Sequence, residues 1–201
     1  MKFKIFNTKI YISFIFVSLL TLMLATDRTG YIIPSVSAVI LHELGHLFTM
    51  WLFECCPKEI KLLPSSIEIV RGFSDKPYGE TVIALMGPVT NLFLALVFYI
   101  NYISIKNELL LIFMLVNLII GFFNLLPLNG LDGGTILFNI ISKKFSTNIA
   151  TKALSIITLI CGFVLLSLGF FMILNKNYNI SIIIIALYLI IPNGIKLINN
   201  C

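Results

Sequence analysis

The histidines of this chain are His42 and His46, four residues apart, with Glu43 directly after the first, inside the run VILHELGHLF (Val39 to Phe48). On a helix, residues i and i+4 share a face, so both imidazoles can present a nitrogen to one metal ion. Glu43 is then placed to take a proton from a water molecule that the ion activates. This HExxH spacing predicts metal-assisted hydrolysis, with one zinc ion as the cofactor. The competing reading is a pair of neutral histidines bonded between helices. It leaves an ionisable residue at membrane depth without a role, and such residues are costly enough to be functional by default.

A catalytic zinc usually has three protein ligands and one open position, so two histidines are one ligand short. The other acidic residues are Asp27, Glu54, Glu59, Glu68, Asp75, Glu80, Glu108 and Asp132. All but Asp132 fall in loops or at the edges of apolar runs. His46 stands about 10 Å from the end of its run at Phe53, and Asp132 about 16 Å before Lys143 if helical, at 1.5 Å per residue. The two depths are comparable, which makes Asp132 the expected third ligand.

These residues need elements to hold them, and the composition says what kind. Of 201 residues 59% are hydrophobic and 11% charged, with a mean hydropathy of +1.03, whereas a soluble domain carries about 25% charged residues. The fold class is therefore an all-α polytopic membrane protein. A crossing needs about 20 apolar residues, and six stretches qualify: 10–26, 31–53, 81–105, 109–131, 153–175 and 177–195. They form one intramembrane domain over 1–201. The first is read as a retained span, because LMLATD lacks a small-residue cleavage site.

Positive residues of short loops stay on the cytosolic side. With the N-terminus inside, Lys2, Lys4, Lys9, Lys58, Lys61, Arg71, Lys76, Lys143, Lys144, Lys152 and Lys196 are inner, and Arg28, Lys106 and Lys176 outer. Both termini are expected in the cytosol of a bacterial, multi-pass membrane protein. Topology accounts for the net charge of +5, so no nucleic-acid partner is implied. Within the cytosolic loop 54–80, KEIKLL and IEIVRG alternate around PSS, which predicts a small β-hairpin associated with the membrane. Cys55, Cys56, Cys161 and Cys201 are read as plain thiols. In GFFNLLPLNGLDGG, Pro127 and four glycines surround Asp132, which predicts a broken helix lining a polar site.

Three motifs carry a resemblance. HELGH in the second span, GPVTN (Gly87 to Asn91) in the third and NLLPLNGLDGG (Asn124 to Gly134) after the fourth resemble, in order, those of the site-2 protease family of intramembrane zinc metalloproteases. The resemblance covers most of the chain. It implies that His42, His46 and Asp132 bind zinc and that Glu43 is catalytic. It further implies that Gly87, Pro88 and Asn91 pack beside the site, and that Asn124 and Pro127 form the broken part of the fourth-helix motif. Asn91 and Asn124 are read as supporting the site, the glycines as packing, and Asn91, Asn124 or Asn129 as candidate donors to a developing oxyanion.

The implied function is a zinc-dependent endopeptidase that cuts a membrane-bound protein near the cytosolic face, with membrane regulatory proteins and the bilayer as its surroundings. HExxH in the second of six spans is similar to the sporulation branch, the stage IV sporulation protein FB type, whose substrate is a membrane-bound pro-sigma factor. No nucleotide-sensing CBS domain is expected in this chain, and no PDZ-like domain. Because a helical substrate must be unwound before attack, the hairpin edge is expected to hold it by β-augmentation. The alternatives are an HtpX-like membrane-anchored zinc protease and a non-proteolytic zinc transporter or metal-binding membrane protein. The LDGG motif and the lack of a polar catalytic domain oppose the first; Glu43 beside His42 opposes the second.

Overall fold

A computed structural model describes residues 2–5, 8–55, 57–63, 67–71, 79–174 and 181–199. The chain divides into two compact units, Met1–Phe123 and Asn124–Cys201.

The first unit holds four strands, β1 (Lys2–Ile5), β2 (Thr8–Ile12), β3 (Pro57–Leu62) and β4 (Ile67–Arg71). It also holds helices α1 (Phe14–Thr26), α2 (Ile32–Leu52), α3 (Gly79–Ile105) and α4 (Glu108–Asn124). The expected hairpin corresponds to β3 and β4, an antiparallel pair, with 64–66 of its turn outside the described residues. It is half of a larger sheet. β2 pairs parallel with β3, and β1 antiparallel with β2, in the order β1-β2-β3-β4.

The sheet shortens the expected first span. TKIYI alternates polar and apolar residues, so residues 10–12 are used as strand, and α1 begins only at Phe14. A helix of 13 residues is about 20 Å long, short of the roughly 30 Å hydrocarbon core. The expected fourth span also ends early, at Asn124. Among the described residues, α2, α3 and Thr147–Leu174 are the three helices long and apolar enough to cross a membrane, and Phe14–Thr26, Glu108–Asn124 and Ile182–Ile195 are shorter apolar helices.

The crossing of α2 and α3 is close because Gly45 has no side chain. A Cβ there would lie 2.8 Å from the carbonyl oxygen of Met86, so α3 backbone occupies the space, as small residues permit in membrane helices. Beyond the crossing, Met50, Cys55 and Ile83 form a buried cluster against which Leu47, Phe53 and Ile69 pack. Ile69 ties β4 to the ends of α2 and α3.

The second unit contains α5 (Asp132–Lys144), α6 (Thr147–Leu174) and α7 (Ser181–Asn199). Gly162 and Gly169 of α6 admit Ile190 and Ile183 of α7. The segment 125–131 is not helical, as the Pro127 and glycine pattern predicts.

The turn into α2 is built on one carboxylate. Asp27 accepts hydrogen bonds from the N–H and hydroxyl of Thr29, both at 2.8 Å, and from the N–H groups of Gly30 and Ile32. These bonds, the Thr29 hydroxyl first, hold its pKa below the ordinary 3.8, because they favour the charged form. A depressed carboxylate stabilises the fold above its unfolded pKa and loses that effect as pH falls through the folded one. Asp27→Ala is expected to melt below the wild type at pH 7, with the gap closing under acid beyond pH 3.8. Equal melting temperatures at pH 7 would refute the assignment.

Candidate metal centre

Helix α2 buries His42 and His46 on one face, and each ring is held at the nitrogen that points away from the other. Nδ1 of His46 donates to the carbonyl oxygen of Ile83 at 2.7 Å. A carbonyl can only accept, so that nitrogen carries the proton. Nδ1 of His42 meets Oδ1 of Asn91 at 2.5 Å. The orientation of Asn91 is set at its other end, where Nδ2 donates to the carbonyl oxygen of Ala38 at 3.0 Å and to Oδ1 of Asn117 at 2.9 Å. Oδ1 therefore faces His42 as an acceptor, and His42 is also protonated at Nδ1.

The two Nε2 atoms, turned toward each other, lie 3.2 Å apart. The spacing suits a shared cation: two zinc–nitrogen bonds of about 2.05 Å at a tetrahedral angle place their nitrogens about 3.3 Å apart. The donors have the right chemistry as well. Among the described residues, His42, His46 and Asp132 form a candidate metal site, each offering one ligand atom, and nitrogen–nitrogen–oxygen is a zinc set. Glu43, next to His42 on α2, is half-buried.

The third helix makes room for this pair. A Cβ at Gly87 would lie 2.3 Å from Nε2 of His46 and 2.7 Å from Nε2 of His42, so any side chain would enter the space where the two nitrogens converge. Pro88, buried inside α3, has no N–H to return to Ala84, and the neighbouring carbonyl of Ile83 serves His46. Asn91 follows one turn on, fully buried. The GPVTN segment thus provides clearance and an anchor for His42.

Asn117 has no counterpart among the residues that the sequence singled out. It is fully buried on α4, joins Asn91, and returns its own amide to the carbonyl of Phe113 at 2.8 Å. The signal was a lone asparagine inside FMLVNLII. The Ile83 carbonyl left no signal, since any residue supplies one.

In the second unit, Asp132 is the first residue of α5, where the helix dipole favours a carboxylate. Gly133 and Gly134 let this helix start against the preceding loop, since Cβ atoms there would lie 2.1 Å from the oxygen of Leu125 and 2.0 Å from that of Leu128. Gly130 turns the chain at φ +92°, a conformation open to glycine. Asn129 secures the loop. Its N–H donates to Thr158 Oγ1 at 3.0 Å, and its amide to Asn193 Oδ1 at 2.5 Å and Ser155 Oγ at 3.4 Å. Pro127 is exposed and Asn124, at the end of α4, half-buried. Cys55 and Cys161 are free thiols, while Cys56 and Cys201 lie outside the described residues.

Partners behind metal-binding histidines typically contribute 10–100-fold in metal affinity. Asn91→Ala is expected to weaken zinc binding by about that factor while circular dichroism stays unchanged; unaltered affinity in a competition titration would remove Asn91 from this role. Gly87→Ala should leave the purified protein helical and strip it of zinc, since the rings it strikes are both anchored. A stoichiometric zinc content in that variant would contradict the geometry.

Comparison with known proteins places similarities over much of the chain. The model of peptidase family M50 matches residues 103–168. A zinc metalloprotease of Methanocaldococcus jannaschii is 36% identical across 68% of this chain and 43% of its own length, so the chain spans less than half of that curated relative. The solved site-2 protease of the same organism superposes with a TM-score of 0.71 at 26% identity, over 96% of this chain and 93% of that one. The family model, the curated relative and the solved structure together support placing the chain in peptidase family M50, the site-2 protease family.

Proposed function

We propose that this chain is a zinc-dependent intramembrane endopeptidase that cleaves a membrane-bound protein near the cytosolic face. The observation that carries the reading is the pair of Nε2 atoms held 3.2 Å apart by anchored rings, next to a carboxylate at Glu43. His42, His46 and Asp132 hold the ion. When bound, zinc supplies a Lewis acid that activates water and polarises the scissile carbonyl.

The protein residues do the rest. Glu43 takes the proton from the attacking water and passes it to the departing amine, so that one water is consumed and two termini are released. Asn91 and Asn129 donate their amides to neighbouring helices, and Asn124, where the broken segment begins, is assigned to the developing oxyanion. Gly87, Pro88 and Pro127 shape the surroundings.

A helical substrate shields its carbonyls in its own hydrogen bonds and must be locally unwound. β4 ends the sheet among the described strands and joins the helices through Ile69. An extended substrate segment pairing along it by β-augmentation would be presented from a rigid edge. The six-span topology with cytosolic termini, a bacterial membrane, the sporulation-type placement and a pro-sigma factor as substrate belong to this proposal. HExxH on the second apolar helix and the bias of lysines toward one side support them.

Glu43→Gln should retain zinc and fold yet lose cleavage of a co-expressed membrane-tethered pro-sigma factor, read by immunoblot; an active Glu43→Gln protein would sink the mechanism. Ile69→Pro is expected to raise KM with zinc content intact, and unchanged turnover at low substrate would count against edge pairing.

A further inference from the structure

The four-stranded sheet has a second face that the proposed catalysis leaves unused. Strand pairing sets Lys2 opposite Tyr11 and Lys4 opposite Lys9, then Lys9 beside Glu59 and Tyr11 beside Lys61. Partners in register share a face, so Lys2, Lys4, Lys9 and Lys61 all lie on one side of the sheet. The residues between them, Phe3, Ile10 and Ile60, lie on the other, the side on which Ile69 packs toward the helices. Lys2, Lys4, Lys9 and Tyr11 are exposed. A cavity of about 730 Å³ lies at this end of the sheet, lined by Lys2, Lys4, Lys9, Lys61, Tyr11 and Glu59 of the basic side together with Phe3 and Ile10.

Within that cavity Glu59 reaches Lys9 at 3.7 Å and Lys61 at 4.0 Å. One carboxylate among four lysines leaves an excess of three positive charges at this end of the sheet. Charges this close lie within a Debye length and repel one another.

Two simpler accounts fall short. Keeping lysines on the cytosolic side needs only their location in the chain, not their alignment on one face around a cavity. Guarding a sheet edge against aggregation explains lysines on β1, but Lys9 and Lys61 stand on the interior strands β2 and β3. An acidic partner accounts for both. It relieves the mutual repulsion, and extended chain can lie across the cavity with Tyr11 packing against its apolar atoms. Four charged side chains on one face suit an acidic segment in water rather than the hydrocarbon of lipid.

We infer that this basic sheet face docks an acidic extramembrane segment of a protein substrate, raising its local concentration at the protease. The inference rests on the proteolytic reading above. The test uses the full chain in zwitterionic detergent and two membrane-spanning substrates with the same cleaved segment, one carrying a glutamate-rich tail and one a neutral tail. The acidic tail should lower KM about tenfold at low salt, as three weak charge contacts sum to about 1.4 kcal/mol, with kcat unchanged. The advantage should vanish in high salt and in the triple variant Lys2→Glu, Lys4→Glu, Lys9→Glu, while cleavage of the neutral-tailed substrate stays as in the wild type.

Equal KM values for two cleaved substrates overturn the inference and leave the protease reading standing. If neither substrate is cut, that reading fails, and docking is decided separately with the Glu43→Gln protein and a fluorescent glutamate-rich peptide. Anisotropy that rises with the parent and not with its triple-lysine variant supports docking; no rise overturns it. Lysine-dependent binding to phosphatidylglycerol nanodiscs that the peptide does not compete for also overturns it, in favour of a membrane contact.

Discussion

Two imidazole nitrogens held 3.2 Å apart are a ready pair of ligands for one cation, and much of the first unit serves to hold their rings in place. Each imidazole is bonded at Nδ1, one to a backbone carbonyl and one to an amide that is itself bonded twice more. The arrangement fixes tautomer and ring angle together, as the outer partners of metal ligands do. In apolar surroundings each of these bonds counts heavily, because an unmatched buried group has no water to turn to. The chain Phe113 carbonyl, Asn117, Asn91, His42 ties α4 to α3 and α3 to α2 through polar contacts alone.

The glycines work by subtraction. Gly45 lets α3 backbone approach α2, and Gly87 leaves clear the space in front of both Nε2 atoms. In the second unit, Gly133 and Gly134 let α5 begin against carbonyl oxygens of the loop, which places Asp132 at a helix N-terminus. A methyl group at any of these positions would meet backbone or an anchored ring. The usual adjustment of a flexible side chain is therefore not open to the neighbours.

The sheet shows a different economy. Strict alternation in KFKI and TKIYI gives it one apolar and one basic side, so a short segment gathers its charge on a single face. Its parallel pairing of β2 with β3 joins residues about fifty positions apart, with α1 and α2 as the intervening connection, in keeping with the long crossover that parallel strands require.

The amino-acid sequence by itself determined the chemistry. HELGH on an apolar helix, one aspartate in a glycine-rich break and the shortage of charge specified a metal-binding membrane protein, because ligand type and i,i+4 spacing are local properties. The break at Pro127 was equally legible, since proline and glycine act on their own backbone. Tertiary structure decided what depends on partners distant in the chain. Asn91 turned from a candidate oxyanion donor into the anchor of His42, Asn117 entered as its support, and Ile83 contributed a carbonyl that no side chain announces. Residues 10–12 were read as the start of a span because their apolar side chains suit either element, and only strand pairing with β1 and β3 distinguishes them. Hydrogen-bond partners and strand neighbours are set by which segments meet in space, and a linear pattern does not contain that.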